Sequence, residues 1–164
     1  KEPIYFLRQQ GDLFGIAELI GSHPRKSSAQ TLSASVIWEL DSKNFEIMLD
    51  KFPLFSRQII SCLGSRLRYL GDLVESLMVC DVVTRMAKLI VYLAYDNIIH
   101  QEDWDQPVTI TKTLTQEQMA SMTGSCQQTV SETLKSFQDE GLIQIKRREI
   151  IVVSPLHLIR KAEH

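Results

Sequence analysis

Ala120, Gly124 and Val130, separated by four and then six positions, narrow what this chain can fold into more than any other feature of its 164 residues. Ala120 is small where two helices would cross, Gly124 permits a left-handed turn between them, and Val130 fills the core behind the second helix. That is the steric pattern of a helix-turn-helix, and it points to DNA. Thr115 with Gln118 reads as a capping box opening the first helix, and Gly141 ends the second. Met119, Val130, Leu134 and Phe137 keep helical spacing. Such a triplet alone arises often by chance, so its flanks matter.

Directly after Gly141, residues 142–153 form two short β-type runs around a basic turn at Lys146, Arg147 and Arg148. Before the motif, residues 108–111 alternate and are rich in β-branched side chains, which predicts a further strand beside the hairpin. Strand, helix-turn-helix and basic hairpin together make a winged helix. A charged hairpin tip by itself is usually a solvated turn; beside a helix-turn-helix it suits phosphate contact.

At 44% hydrophobic residues the chain can bury a real core. Its net charge of −2 gives no global attraction to nucleic acid. From Trp104 onward seven Lys/Arg face seven Asp/Glu, so affinity for DNA must come from a local patch. Cys62, Cys80 and Cys126 show no CxxC spacing and fit a reducing cytoplasm. No secretory signal or bilayer-spanning stretch is visible, so no membrane role is expected.

The first forty residues differ in kind. Short strand-like runs at residues 4–7, 13–14, 31–34 and 36–40, punctuated by Gly11, Gly15, Gly21 and Pro24, suggest part of an antiparallel roll or barrel. The fragments are too few to close a roll, which leads to the expectation of further residues before Lys1. Residues 42–50 should form a short helix, and Pro53 should open a long one reaching Cys80, roughly 40 Å in length. Along it Ile60, Leu63, Leu67, Leu70, Val74 and Leu77 alternate spacings of three and four, a heptad seam suited to a parallel homodimer. Asp81 breaks the seam, caps an amphipathic helix through Val82, Met86, Ile90 and Leu93, and marks the expected hinge. Residues 97–107, with Glu102, Asp103 and Asp105, read as an acidic loop.

In this order, strand fragments, long helix, Asp-capped hinge and winged helix, the chain resembles the catabolite activator/fumarate-nitrate reductase regulator (Crp/Fnr) family of bacterial transcription regulators. The segments that carry the likeness are Gly11-Asp12-Leu13-Phe14-Gly15, residues Asp81 to Ala87, and Gly124 to Leu134 with Gly141-Leu142-Ile143. The resemblance implies an α+β fold: a partial β jelly roll of cyclic-nucleotide-binding type lacking its start, a long dimerisation helix and a C-terminal winged helix-turn-helix. It divides the chain into a partial effector-sensing roll with a short helix at 1–52, a dimerisation helix at 53–80 and a DNA-binding domain at 81–164. A cytoplasmic homodimer is implied, with Leu63, Leu67, Leu70, Val74 and Leu77 at the interface. Its implied partners are double-stranded DNA carrying an inverted repeat, RNA polymerase and an unidentified small-molecule effector.

Two departures from the family bear on function. Cyclic-AMP-binding members hold the nucleotide with a Gly-Glu-Leu turn and a later Arg-Ser-Ala, whereas this chain has Gly15-Ile16-Ala17-Glu18-Leu19 and Arg25-Lys26-Ser27-Ser28-Ala29. The polar pair that reaches adenine falls on Leu70 and Gly71, which offer no side-chain hydrogen bond. The candidate effector pocket is therefore Gly15, Glu18, Arg25, Lys26, Ser28 and Leu70, with cyclic AMP doubtful as its ligand. These residues would hold another anion or be ordinary loop residues. In the second helix, the position after Ser131 holds Glu132 where an Arg is usual. Gln127, Gln128 and Ser131 are the expected base readers, with Thr115, Thr129, Lys146, Arg147 and Arg148 completing the DNA-binding set; Glu132 either accepts from cytosine or points away.

His23, His100, His157 and His164 have no spacing that builds a triad or a metal site, so an enzyme is not expected. No cofactor can be named from the residues. Cys62 and Cys80 read as core thiols or, less simply, as sensors of oxidation or of a diatomic gas. The competing reading is a sensory dimerisation protein acting through protein partners without binding DNA, motivated by Gln127, Gln128 and Glu132. A cyclic-nucleotide-dependent enzyme subunit has no catalytic segment in its favour.

Overall fold

The computed structural model describes residues 3–21, 23–98, 106–111, 114–147 and 149–163. Arg148 and the acidic residues Glu102, Asp103 and Asp105 lie outside that set. The chain divides into two compact units, one of Phe6–Leu70 and one of Gly71–His164 together with Lys1–Tyr5.

The Phe6–Leu70 unit holds helix α1 (Ile16–Gly21), helix α2 (Ser42–Lys51) and the first part of helix α3 (Pro53–Val79). Ile16, Phe45 and Ile59 are its buried centre, with Leu19, Leu49, Phe55 and Leu63 packed around them. The Phe45 and Phe55 rings meet edge to face at 5.9 Å. Asp41 caps α2 by accepting from the Asn44 N–H at 2.8 Å, and that bond, with a second from the Asn44 side chain, lowers its pKa below the ordinary value. Pro53 opens α3, where its missing N–H has no intrahelical partner to lose. Over 27 residues α3 runs roughly 40 Å.

The strand runs expected before Pro53 do not pair. No strand occurs among the described residues before Val108. A strand satisfies its N–H and C=O groups through a neighbour, and these fragments supply none to one another. The stretch after Gly15 instead turns helical as α1, because Ile16 and Leu19, three positions apart, both reach the Phe45–Ile59 cluster. Val36 and Trp38 are left 86% and 93% exposed, outside the Ile16–Phe45–Ile59 cluster. The heptad seam is also divided. Leu67 is exposed, whereas Leu63 packs inward on its own unit.

The second unit contains the end of α3, then α4 (Val82–Ile98), β1 (Val108–Ile110), α5 (Gln116–Met122), α6 (Gln127–Asp139), β2 (Ile143–Lys146), β3 (Glu149–Val152) and α7 (Pro155–Glu163). Its antiparallel sheet has the order β1-β3-β2, with Val108 and Ile143 both opposite Val152 and Ile110 opposite Ile150. Strand alternation turns Val108, Ile110, Ile143, Ile150 and Val152 to one buried face. Helix α4 packs on β1 and α6 on β2, burying Met86, Ala87, Ile90 and Ala94 of α4 with Val130, Leu134 and Phe137 of α6, while α7 packs on α4 and buries Leu158. Each large apolar side chain buried this way contributes roughly 1.5–3 kcal/mol.

The sequence does not announce the terminal helix α7. Pro155 stands at its first position and Leu158 is fully buried. Lys161 pairs with Glu140 at 2.8 Å and lies 5.5 Å from the centre of the Phe137 ring, which fastens α7 to the end of α6.

Candidate nucleic-acid interface

The helix-turn-helix is built by two chain reversals of one kind. Thr115 accepts from the Gln118 N–H at 3.2 Å while the Gln118 side chain accepts from the Thr115 N–H at 2.8 Å, so the expected capping box starts α5. At the far end Gly124 adopts φ +60°, and the Ser125 N–H returns to the Ala120 carbonyl at 2.9 Å. After α6, Gly141 has φ +72°, its N–H reaches the Gln138 carbonyl, and the Leu142 N–H reaches that of Phe137, each at 2.9 Å. This is a Schellman closure, and it requires a residue that tolerates positive φ. It turns the chain directly into β2.

Between these reversals α6 buries Val130, Thr133, Leu134 and Phe137 and turns Gln127, Gln128, Ser131, Glu132 and Lys135 outward. Gln116, Gln127, Gln128, Ser131 and Glu132 line one shallow depression of about 510 Å³. The three expected base readers therefore share a surface. Thr129 is half-buried, its hydroxyl 3.1 Å from the Cys126 sulfur that caps the helix. Thr115 is committed as an acceptor to its capping box but keeps a hydroxyl proton to donate.

In the wing, β2 and β3 pair as a hairpin with Lys146 opposite Glu149. The Lys146 ammonium binds the Glu149 carboxylate at 3.1 Å, a partner that the sequence does not single out although the residues are only three apart. Arg147 is exposed at the tip, and Arg148 lies outside the described residues. For Glu132 the sequence leaves two roles, cytosine-accepting or averted; the structure gives it a partner inside the helix, the Gln128 Nε2 at 3.0 Å.

A second set of contacts joins the turn of the motif to the end of α3. Arg85 Nε donates to the Thr123 carbonyl at 2.7 Å and its Nη1 to the Cys80 carbonyl at 2.5 Å. A Cβ placed on Gly124 would stand 2.9 Å from a Leu77 methyl. Asp81 caps α4 through the Thr84 N–H at 2.8 Å. That bond first, then the Thr84 side chain and the Arg85 charge, holds the Asp81 carboxyl below its usual pKa. The Arg85–Thr123 contact is not legible in sequence, since the two residues are 38 positions apart.

In the other unit the structure brings two of the candidate effector residues together. Gly15 has φ +80° and the Arg25 guanidinium occupies the space where a Cβ would be. Lys26 and Ser28 are exposed, Glu18 is half-buried on α1 and Leu70 half-buried on α3; none of these four crowds Gly15. Ile16, at the position where the resemblance leads one to expect a ribose-binding Glu, is buried in the Phe45–Ile59 core. Among the described residues no group of three His, Cys, Asp or Glu side chains is placed to hold a metal, and no helix is long and apolar enough to cross a membrane.

Residues 84–160 match the Crp-like helix-turn-helix domain family. The chain is 27% identical over 162 residues to the CRP-like cAMP-activated global transcriptional regulator of Mycobacterium tuberculosis, covering 99% of this chain and 71% of that protein. Among solved structures, a mutant of CooA from Carboxydothermus hydrogenoformans is similar with a TM-score of 0.64 and 27% identity, over 74% of this chain and 55% of that one. A Crp/Fnr-family transcriptional regulator from Thermus thermophilus shares the fold with a TM-score of 0.58 and 22% identity, over 68% of this chain and 56% of its own. The chain thus spans about half the length of these solved chains. Its α+β architecture, helices around a small antiparallel sheet with a C-terminal winged helix-turn-helix, is the one they share: residues 84–160 belong to the Crp-like helix-turn-helix domain family, within a chain that is similar along its length to Crp/Fnr transcription regulators.

Proposed function

We propose that the chain is a sequence-specific DNA-binding transcription regulator that acts as a homodimer under a small-molecule or redox signal other than cyclic AMP. The observation that carries this reading is the outward row of Gln127, Gln128 and Ser131 on a helix held by two glycine reversals beside an antiparallel wing. A helix so presented suits the major groove, and a flanking hairpin suits the phosphates. Thr115, Thr129, Lys146, Arg147 and Arg148 position the backbone. On this reading residues 1–52 sense, 53–80 dimerise and 81–164 bind DNA, in the cytoplasm and in contact with RNA polymerase.

Dimerisation is supported by Leu67, Val74 and Leu77, which α3 leaves exposed at heptad spacing. Two recognition helices on a two-fold dimer enter successive major grooves about 34 Å apart, which calls for an inverted repeat. The relative in Mycobacterium tuberculosis is cAMP-activated by name. Against that ligand here stand the buried Ile16 and the Leu70-Gly71 pair, which offer no side-chain hydrogen bond to ribose or adenine.

Selection of bound duplexes from a random pool should return an inverted repeat, and a pool returned without enrichment would refute DNA recognition. Sedimentation should show a dimer at micromolar concentration that Leu67→Glu with Val74→Glu converts to monomer; an unchanged dimer would remove this seam. Calorimetry should find no low-micromolar affinity for cyclic AMP, and finding one that Arg25→Ala abolishes would reverse the ligand assignment.

A further inference from the structure

Gln128 and Glu132 stand one turn apart on α6, joined by the bond from Gln128 Nε2 to Glu132 Oε1. A carboxylate only accepts, so this bond admits one orientation of the amide: nitrogen toward Glu132, carbonyl oxygen away from it. A free glutamine can turn either edge of its amide to the groove. A tethered one cannot. What remains for a base is the Gln128 carbonyl oxygen and its second N–H, an acceptor beside a donor. Adenine presents the complement, a donor at N6 beside an acceptor at N7, whereas guanine presents acceptors at both O6 and N7.

We propose that Glu132 is a positioning residue that fixes Gln128 as a reader of adenine and excludes guanine at that base pair of each half-site. This rests on the DNA-binding reading given above and names the base it reads. The surroundings favour it. The depression containing the pair is lined otherwise by Gln116, Gln127 and Ser131, which add no charge to compete for the carboxylate. Helix α6 contains no arginine, the side chain that pairs bidentately with guanine, and its single cation is Lys135. The Glu132 charge also repels phosphates whatever the sequence, over a screening length of about 10 Å. It therefore lowers affinity for every duplex while sharpening the choice among them, and removing it changes the two in opposite senses.

The test uses the full chain and the variants Glu132→Gln and Gln128→Ala, both at exposed positions that the fold does not need. Each is titrated by fluorescence anisotropy against the inverted repeat selected by the parent, and against the same duplex with the adenine–thymine pair facing Gln128 replaced by guanine–cytosine. The parent should prefer adenine about tenfold. In Glu132→Gln two amides can hold each other in either sense, so both duplexes should bind more tightly and the preference should fall below about threefold. Gln128→Ala should lose the preference without that gain in affinity. Uniformly tighter binding by Glu132→Gln with the preference intact would make Glu132 a bare charge and overturn the proposal, as would a parent that prefers guanine at this pair. A parent that selects no sequence at all would instead remove the DNA-binding reading beneath it.

Discussion

Gly124 shows how one backbone angle sets the interface. Its φ of +60° lets α5 close and α6 start within a short turn, and an L side chain there costs roughly 1–2 kcal/mol in backbone strain. The Leu77 methyl 2.9 Å from the Cβ position is the end of a flexible side chain and can swing aside, so the angle decides the outcome. Gly124→Ala should therefore lower stability by about 1–2 kcal/mol in urea unfolding, and Gly124→Asn by less, since Asn tolerates this region. Equal losses for the two would mean that the contact with Leu77 dominates. Gly124, Gly141 and the Thr115–Gln118 box are legible in sequence because local residues alone dictate them. The Gln128–Glu132 and Lys146–Glu149 bonds are not, although their spacings permit them, because side chains a turn or a hairpin apart choose among rotamers that sequence does not rank.

Among the elements, α4 depends most visibly on its first turn. Asp81 accepts from Thr84, and its pKa is lowered in the folded chain. A carboxyl lowered on folding contributes stability that is present above its unfolded value near 3.8 and is lost as pH falls through the lower folded value. Asp81→Ala should cost about 1 kcal/mol at neutral pH, and the deficit should shrink toward zero in acid unfolding below that range. A deficit independent of pH would show that the carboxylate charge is not what caps the helix. Helices with strong apolar periodicity, α3, α4 and α6, are legible for the same reason that they form: each contains its own hydrogen bonds. The fragments before Pro53 form no ladder among the described residues because a strand borrows its bonds from elsewhere in space. Helix α7 escapes notice because Ser154-Pro155 looks like the end of a strand rather than the start of a helix, and only Pro155 and Leu158 mark its buried side.

For the whole molecule the net charge of −2 leaves DNA affinity to a few local cations. Lys146 and Arg147 are both exposed in the wing, and Lys146 is paired to Glu149. Arg147→Ala should therefore weaken all duplexes alike and flatten the dependence of log affinity on log salt by about one unit for each phosphate left unneutralised. A changed base preference with an unchanged salt slope would assign Arg147 to reading instead. The same scale gives the Arg85 fork its meaning. One guanidinium satisfies a carbonyl just beyond α3 and another just beyond α5, two helix ends that would otherwise need water. Swinging α4 about Asp81 would strand one of those carbonyls unless the motif travelled with it. The hydrogen-bonded amides of Cys80, Thr84, Arg85, Thr123 and Ser125 should accordingly exchange with solvent deuterium in a single opening event, sharing one protection that Arg85→Lys, with no planar fork, splits into two.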